Sequence, residues 1–138
     1  MSFVLDNSVA LAWCFEGEQT DAIMALLDRV TDSGATAPQL WPVEALNGLL
    51  TAERRGRIDA ATRRRLAGFL QDLPISIDDE PATRVWTMTS ALAEAHRLTA
   101  YDATYLELAL RLGVPLATGD RNLTVAAREA GVPLLATA

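Results

Sequence analysis

Four acidic side chains carry the chemistry open to this chain: Asp6, Glu44, Asp102 and Asp120. Asp6 ends the apolar run Phe3-Val4-Leu5, and Asp120 ends a second run, Pro115-Leu116-Ala117-Thr118-Gly119. Each run reads as a short buried strand that passes directly into a helical stretch. In an open α/β sheet, ligands collect outside the carboxyl ends of the strands. Both carboxylates are therefore delivered to one edge. Glu44 and Asp102 fall in the first turns of two further predicted helices, which start at that same edge. Singly, each has a purely structural reading. Asp6 and Asp120 could cap the helices that follow them, Thr99-Ala100-Tyr101-Asp102 matches a capping box, and Glu44 could be an exposed helix residue. Together, four carboxylates at one edge repel one another unless a cation sits between them. A hard divalent ion such as Mg2+ or Mn2+ takes oxygen ligands and is commonly shared with a phosphate. That chemistry suits phosphodiester hydrolysis.

The remaining composition narrows the alternatives. The 138 residues include one cysteine, Cys14, and one histidine, His96. A zinc site of Cys and His ligands, a two-histidine ribonuclease mechanism and a Cys–His dyad are thereby excluded, and carboxylates must do any catalytic work. Cys14 reads as a small core residue, and His96 as a helix-end or surface residue. Half of the residues are apolar, so the chain is globular and long enough for one domain spanning 1–138. No apolar run reaches the length of a membrane span and no basic segment precedes an apolar start, so the expected location is cytoplasmic.

The net charge of −6 argues against binding nucleic acid by bulk electrostatics. All twelve basic residues are arginine, and six crowd together: Arg54, Arg55, Arg57, Arg63, Arg64 and Arg65. Three readings stay open for them. They could form a solvated face between two helices, a patch that contacts phosphates, or a docking surface for an acidic partner.

Strands alternate with helices along the chain. Apolar periodicity predicts helices from Val9, over 20–31, from Pro42 to about Arg55, from Asp59 to about Asp72, over 101–111 and over 121–130. Strands are predicted near 3–5, 35–37, 74–77, 115–117 and 133–136. The acidic turn Asp78-Asp79-Glu80 is expected to open one long helix reaching His96, its charges matched to the helix dipole. On the helix from Pro42, Val43, Leu46 and Leu50 make an apolar stripe, and Ala45, Gly48 and Ala52 a small one. Glu44, Asn47 and Thr51 line up between them, as polar side chains bordering a cleft would. A glycine in mid-helix costs about 1 kcal/mol against alanine, so Gly48 implies close packing. Such alternation gives a parallel sheet covered on both faces.

At these residues the chain resembles the PIN-domain family, and within it the VapC-type ribonuclease toxins of type II toxin–antitoxin pairs. The resemblance rests on Val4-Leu5-Asp6-Asn7-Ser8, Val43-Glu44-Ala45-Leu46-Asn47, Tyr101-Asp102-Ala103-Thr104-Tyr105-Leu106 and Ala117-Thr118-Gly119-Asp120. It covers essentially the whole chain, in order. It implies a three-layer α/β/α sandwich around a parallel sheet. It also implies an acidic quartet, Asp6, Glu44, Asp102 and Asp120, that binds Mg2+ or Mn2+ and hydrolyses RNA to 5′-phosphate and 3′-hydroxyl ends. Ser8 and Thr118 match supporting positions, and Asn47 a polar neighbour of the glutamate. The expected partners are RNA, a cognate antitoxin protein and a second copy in a homodimer. Two positions depart from the pattern: Asn7, where a small residue is more usual, and Asn122, where some relatives carry another acid.

Rival readings differ in the residues they need. A phosphorylated receiver domain requires a lysine near its aspartate, and the chain has none. A dehalogenase-type phosphatase requires a second aspartate two residues after the first, where Ser8 stands. A PIN-fold nuclease of RNA processing with no antitoxin, and an inactive PIN-like binding module, both stay open.

Overall fold

In the computed structural model, which describes residues 2–138, the first strand is only two residues long but lies at the centre of the sheet. This strand, β1 (Val4–Leu5), is flanked by β2 (Ala35–Ala37) on one side and β4 (Leu116–Ala117) on the other, and β3 (Ile75–Ile77) completes the order β3-β2-β1-β4. All pairings are parallel, with Val4 beside both Thr36 and Leu116, and Ala37 beside Ile77. Phe3, Val4 and Leu5 are fully buried, as expected of a strand covered on both faces.

The helices flank the sheet in two groups, giving three layers. In the first, α1 (Asn7–Cys14) packs on α2 (Asp21–Ser33) and α3 (Trp41–Arg54), and α3 packs on α4 (Ala60–Asp72). In the second, α6 (Ala100–Leu112) packs on α5 (Ser90–His96), on α7 (Arg121–Ala130) and on β1. Asp120 and Thr99, which sequence patterning offers as caps, serve as caps, and Thr20 and Asp59 do so as well. The Thr20, Asp59, Thr99 and Asp120 side chains each accept a backbone N–H three residues on, removing one orphan donor per helix start. Among the described residues, no helix is long and apolar enough to cross a membrane.

Three expectations are corrected. Asp78, Asp79 and Glu80 do not open a helix. Asp78 extends the sheet, its N–H donating to Ala37 O at 2.9 Å, and its carboxylate takes two bonds from Arg111. Pro81 disfavours helical backbone at Glu80, so the helix starts a few residues later, at Thr83, and runs through a π-turn (Val85–Thr89) and α5 to His96, its expected end. The strand expected over 133–136 reduces to a single bridge from Leu134 to Leu116, as the two-residue β4 offers little ladder to pair with. On α3, the stripe that faces the core is the small one. Ala45 and Ala52 are buried with Leu49, whereas Val43 is 72% and Leu46 44% exposed. Gly48 shows why: a Cβ there would stand 2.5 Å from Leu11 Cδ1. The small residues let α3 approach α1 closely and turn the larger ones outward.

Candidate active site

Each of the four carboxylates is placed by the start of a helix. Asp6 is the N-cap of α1 and Asp120 the N-cap of α7, while Glu44 and Asp102 lie in the first turns of α3 and α6. Parallel strands and their following helices put these starts at one edge of the sheet, so residues far apart in sequence share a field. Asp102 feels the charges of Asp120, Asp6 and Glu44; Asp6 feels Asp120, and Glu44 feels Asp6.

The hydrogen bonds divide the two oxygens of these groups. Asp6 Oδ2 accepts from the Ser8 N–H at 3.2 Å, the Ser8 hydroxyl at 2.5 Å and the Thr118 hydroxyl at 2.9 Å. Asp120 Oδ2 accepts the Leu123 N–H at 2.8 Å, and Glu44 Oε1 accepts the Tyr105 hydroxyl at 2.6 Å. Among the described residues, no hydrogen bond reaches Asp6 Oδ1, Asp120 Oδ1 or Glu44 Oε2. One oxygen of each of these three carboxylates is spent on the fold, and the other makes no hydrogen bond with the described residues. Ser8 and Thr118 thus both donate to Asp6. They also join the two strand ends, for the Ser8 hydroxyl accepts the Gly119 N–H at 2.9 Å and the Thr118 hydroxyl accepts the Asp120 N–H at 3.0 Å. Asn47 is exposed on α3 and makes no hydrogen bond with the described residues. Asn7 sits within the Asp6 turn, its Oδ1 buried without a partner.

Burial and mutual repulsion both work against ionisation here. Burial raises Asp6 above the ordinary carboxylate range, opposed by the bonds from Ser8 and Thr118. Burial also raises Glu44, opposed by the Tyr105 hydroxyl. Asp102 is pushed up to about 6, first by burial and then by the charges of Asp120, Asp6 and Glu44. The donor set fits a hard divalent cation, being all oxygen, with free carboxylate oxygens and charge in need of neutralisation. Among the described residues, no three acidic, His or Cys side chains stand close enough to hold an ion as they are.

The raised Asp102 carboxyl yields a prediction for the metal-free protein. Asp102 is raised in the folded state, so its contribution to stability is present below about pH 4 and lost as pH rises through about 6. Asp102→Asn removes that loss. Because Asp102 is only half-buried, solvent screening reduces the gain to about 1 kcal/mol at pH 7. Thermal unfolding in a chelator between pH 4 and 7 should show a flatter profile for Asp102→Asn. Identical profiles would show that Asp102 does not ionise at a cost in the folded chain.

Beyond the expected residues, Tyr105 joins the site through its bond to Glu44, a partner 61 positions away. The signal available in sequence was its place on the Asp102 helix, one turn further on. The arginine cluster lies apart, at the junction of α3 and α4. Arg57 stacks on Phe15 at 4.3 Å and stands 3.7 Å from Glu18, and Arg63 pairs with Glu53. Arg54, Arg55, Arg64 and Arg65 are exposed.

An edge of carboxylates fed by parallel strands and helix starts defines a class of α/β protein, and comparison with known families names it. The PIN domain model matches residues 3–129, and the chain belongs to the PIN domain family. Among solved structures, it is similar to PAE2754 from Pyrobaculum aerophilum, with 25% identity and a TM-score of 0.72 over 98% of this chain and 90% of that one. It also resembles FitAcB from Neisseria gonorrhoeae (18% identity, TM-score 0.69, 99% and 98% covered). A third likeness is to VapBC2 from Rickettsia felis bound to a DNA fragment from their promoter (13% identity, TM-score 0.68, 97% of each chain). No curated protein matches the chain in sequence.

Proposed function

We propose that this chain is a Mg2+- or Mn2+-dependent endoribonuclease, the toxin of a toxin–antitoxin pair. The observation that carries the reading is the gathering of four carboxylates at one sheet edge, three of them with one oxygen anchored and one free. Membership of the PIN domain family supports it. Asp6, Glu44, Asp102 and Asp120 would hold the ion, which when bound supplies a Lewis acid that acidifies water and steadies the leaving oxygen. Asp6 and Asp120 are fixed by backbone and hydroxyl donors and orient the site. Asp102, which no backbone N–H fixes through its carboxylate, is free to take up a proton during hydrolysis.

The likeness to FitAcB and VapBC2 supports a protein partner of antitoxin type. A groove of about 380 Å3 between α3 and α4, lined by Trp41, Leu46, Leu49, Leu70, Leu73 and Ile77, offers such a partner an apolar seat one turn from Glu44. Trp86, 82% exposed on the π-turn beside Val85 and Met88, gives a second copy an apolar patch.

The deciding experiment is incubation of partner-free protein with structured RNA, with and without Mg2+ or Mn2+. Cleavage only with metal, leaving 5′-phosphate ends, is expected. Inertness with both metals across several RNAs would leave a binding module in place of the enzyme.

For a chain of net charge −6, affinity for RNA has to come from a local source, and the exposed arginines supply it. Replacing Arg54, Arg55, Arg64 and Arg65 together by Ala should make the dependence of log K on log salt shallower by about 3, on a basis of about 0.7 per single-strand phosphate contact. An unchanged salt slope, measured by fluorescence anisotropy on a single-stranded RNA, would return the cluster to a solvated face.

A further inference from the structure

Tyr105 is 1% exposed, and its hydroxyl donates to Glu44 Oε1 at 2.6 Å. A phenol has one hydrogen to give, and here it is spent on Glu44. The Asn7 backbone N–H lies on the other side of the hydroxyl, near enough to act on it. The three residues belong to three elements: Tyr105 to α6, Glu44 to α3 and Asn7 to the first turn of α1. Those elements carry Asp102, Glu44 and Asp6 respectively. No strand hydrogen bond ties α3 to the others, and Glu44 reaches the site on a long side chain from an N-terminal turn that is exposed at Pro42 and Val43. The Tyr105 hydroxyl is the one side-chain group among the described residues that hydrogen-bonds Glu44. We propose that Tyr105 is a positioning residue, a brace that fixes the Glu44 carboxylate relative to the Asp6 turn and leaves Glu44 Oε2 facing the acidic cluster.

The inference rests on the reading of the quartet as a divalent-ion site. Partners behind a metal ligand typically change affinity by about 10- to 100-fold when removed. Mn2+ binding to the full chain, followed by isothermal titration calorimetry, should weaken by about that factor in Tyr105→Phe, which deletes one oxygen and preserves the ring. The far-UV circular dichroism of the variant should stay that of wild type. Glu44→Asp is the second probe, since it keeps the charge but withdraws the carboxylate from the hydroxyl, and it should lose Mn2+ affinity to a similar degree. If Tyr105 acts through Glu44, adding Tyr105→Phe to Glu44→Gln should cost nothing further. A purely structural tyrosine would instead lower affinity by the same factor in both backgrounds, and that additivity would overturn the proposal. So would wild-type Mn2+ affinity in Tyr105→Phe, with the metal site itself intact. A wild-type chain that binds no Mn2+ would be a different failure, overturning the metal-site reading and the brace with it.

Discussion

Asp6→Asn should reduce metal-dependent RNA cleavage on the order of a thousandfold while leaving the fold intact. The loss corresponds to about 4 kcal/mol of transition-state stabilisation, the scale of one charge removed from a site that neutralises a transferring phosphoryl group. Intact folding follows from the bonds. Asn is as good an N-cap as Asp, and its amide oxygen can accept the Ser8 and Thr118 bonds that Oδ2 accepts now. What changes is the other side, where a free carboxylate oxygen becomes an uncharged amide that cannot ligate a hard cation. Relief of repulsion with Asp120 and Glu44 should even favour the metal-free variant slightly. Single-turnover cleavage and thermal unfolding, measured on the same preparation, separate the two claims. Activity within tenfold of wild type would remove Asp6 from the catalytic set.

The largest effect on stability should come from a residue that takes no part in the chemistry. Glu107 is 5% exposed on α6, and it accepts bonds from Arg84 Nε at 2.6 Å and Arg111 Nε at 2.9 Å. Arg111 in turn grips Asp78 with both terminal nitrogens, at 3.1 and 2.7 Å. The network ties α6 to the π-turn and to the end of β3. Glu107→Ala removes the charge that both guanidinium groups share. Breaking a buried pair by deleting one partner costs about 3–5 kcal/mol. Arg111 keeps Asp78 and Arg84 is partly exposed, which puts the expected cost near the lower figure, about 3 kcal/mol. For a chain of this size that is a fall in Tm of about 10 °C. Replacing Arg84 and Glu107 together by apolar residues should cost far less. Equal melting temperatures for wild type and Glu107→Ala would show the network to be ornamental.

The carboxylates were legible in the sequence because each depends on local grammar. A strand that ends on Asp before a helix, or an acid in a first turn, is placed by backbone direction alone. The same is true of the cap at Thr99. What stayed hidden depends on partners distant in sequence. Asp78 resembles a helix-start charge until Arg111, 33 residues on, draws it to the sheet. Tyr105 resembles an ordinary core aromatic until Glu44 meets its hydroxyl. The α3 stripes went the other way for a related reason. Periodicity finds two apolar stripes on one helix, but only the neighbour decides which is buried, and Leu11 favours the side where Gly48 leaves room.

The outer rim of β3 has a bearing on how the chain keeps to itself. Its far side pairs with no other strand among the described residues, and Ile77 there is 42% exposed. Such a rim is an invitation to stacking between copies, the first step toward insoluble fibrils. Three things make it a poor template. The strand is three residues long, Pro74 precedes it with no N–H to give, and Asp78, Asp79 and Glu80 follow it with like charge on every copy that might approach. The acidic turn thus stands where a gatekeeper against aggregation would.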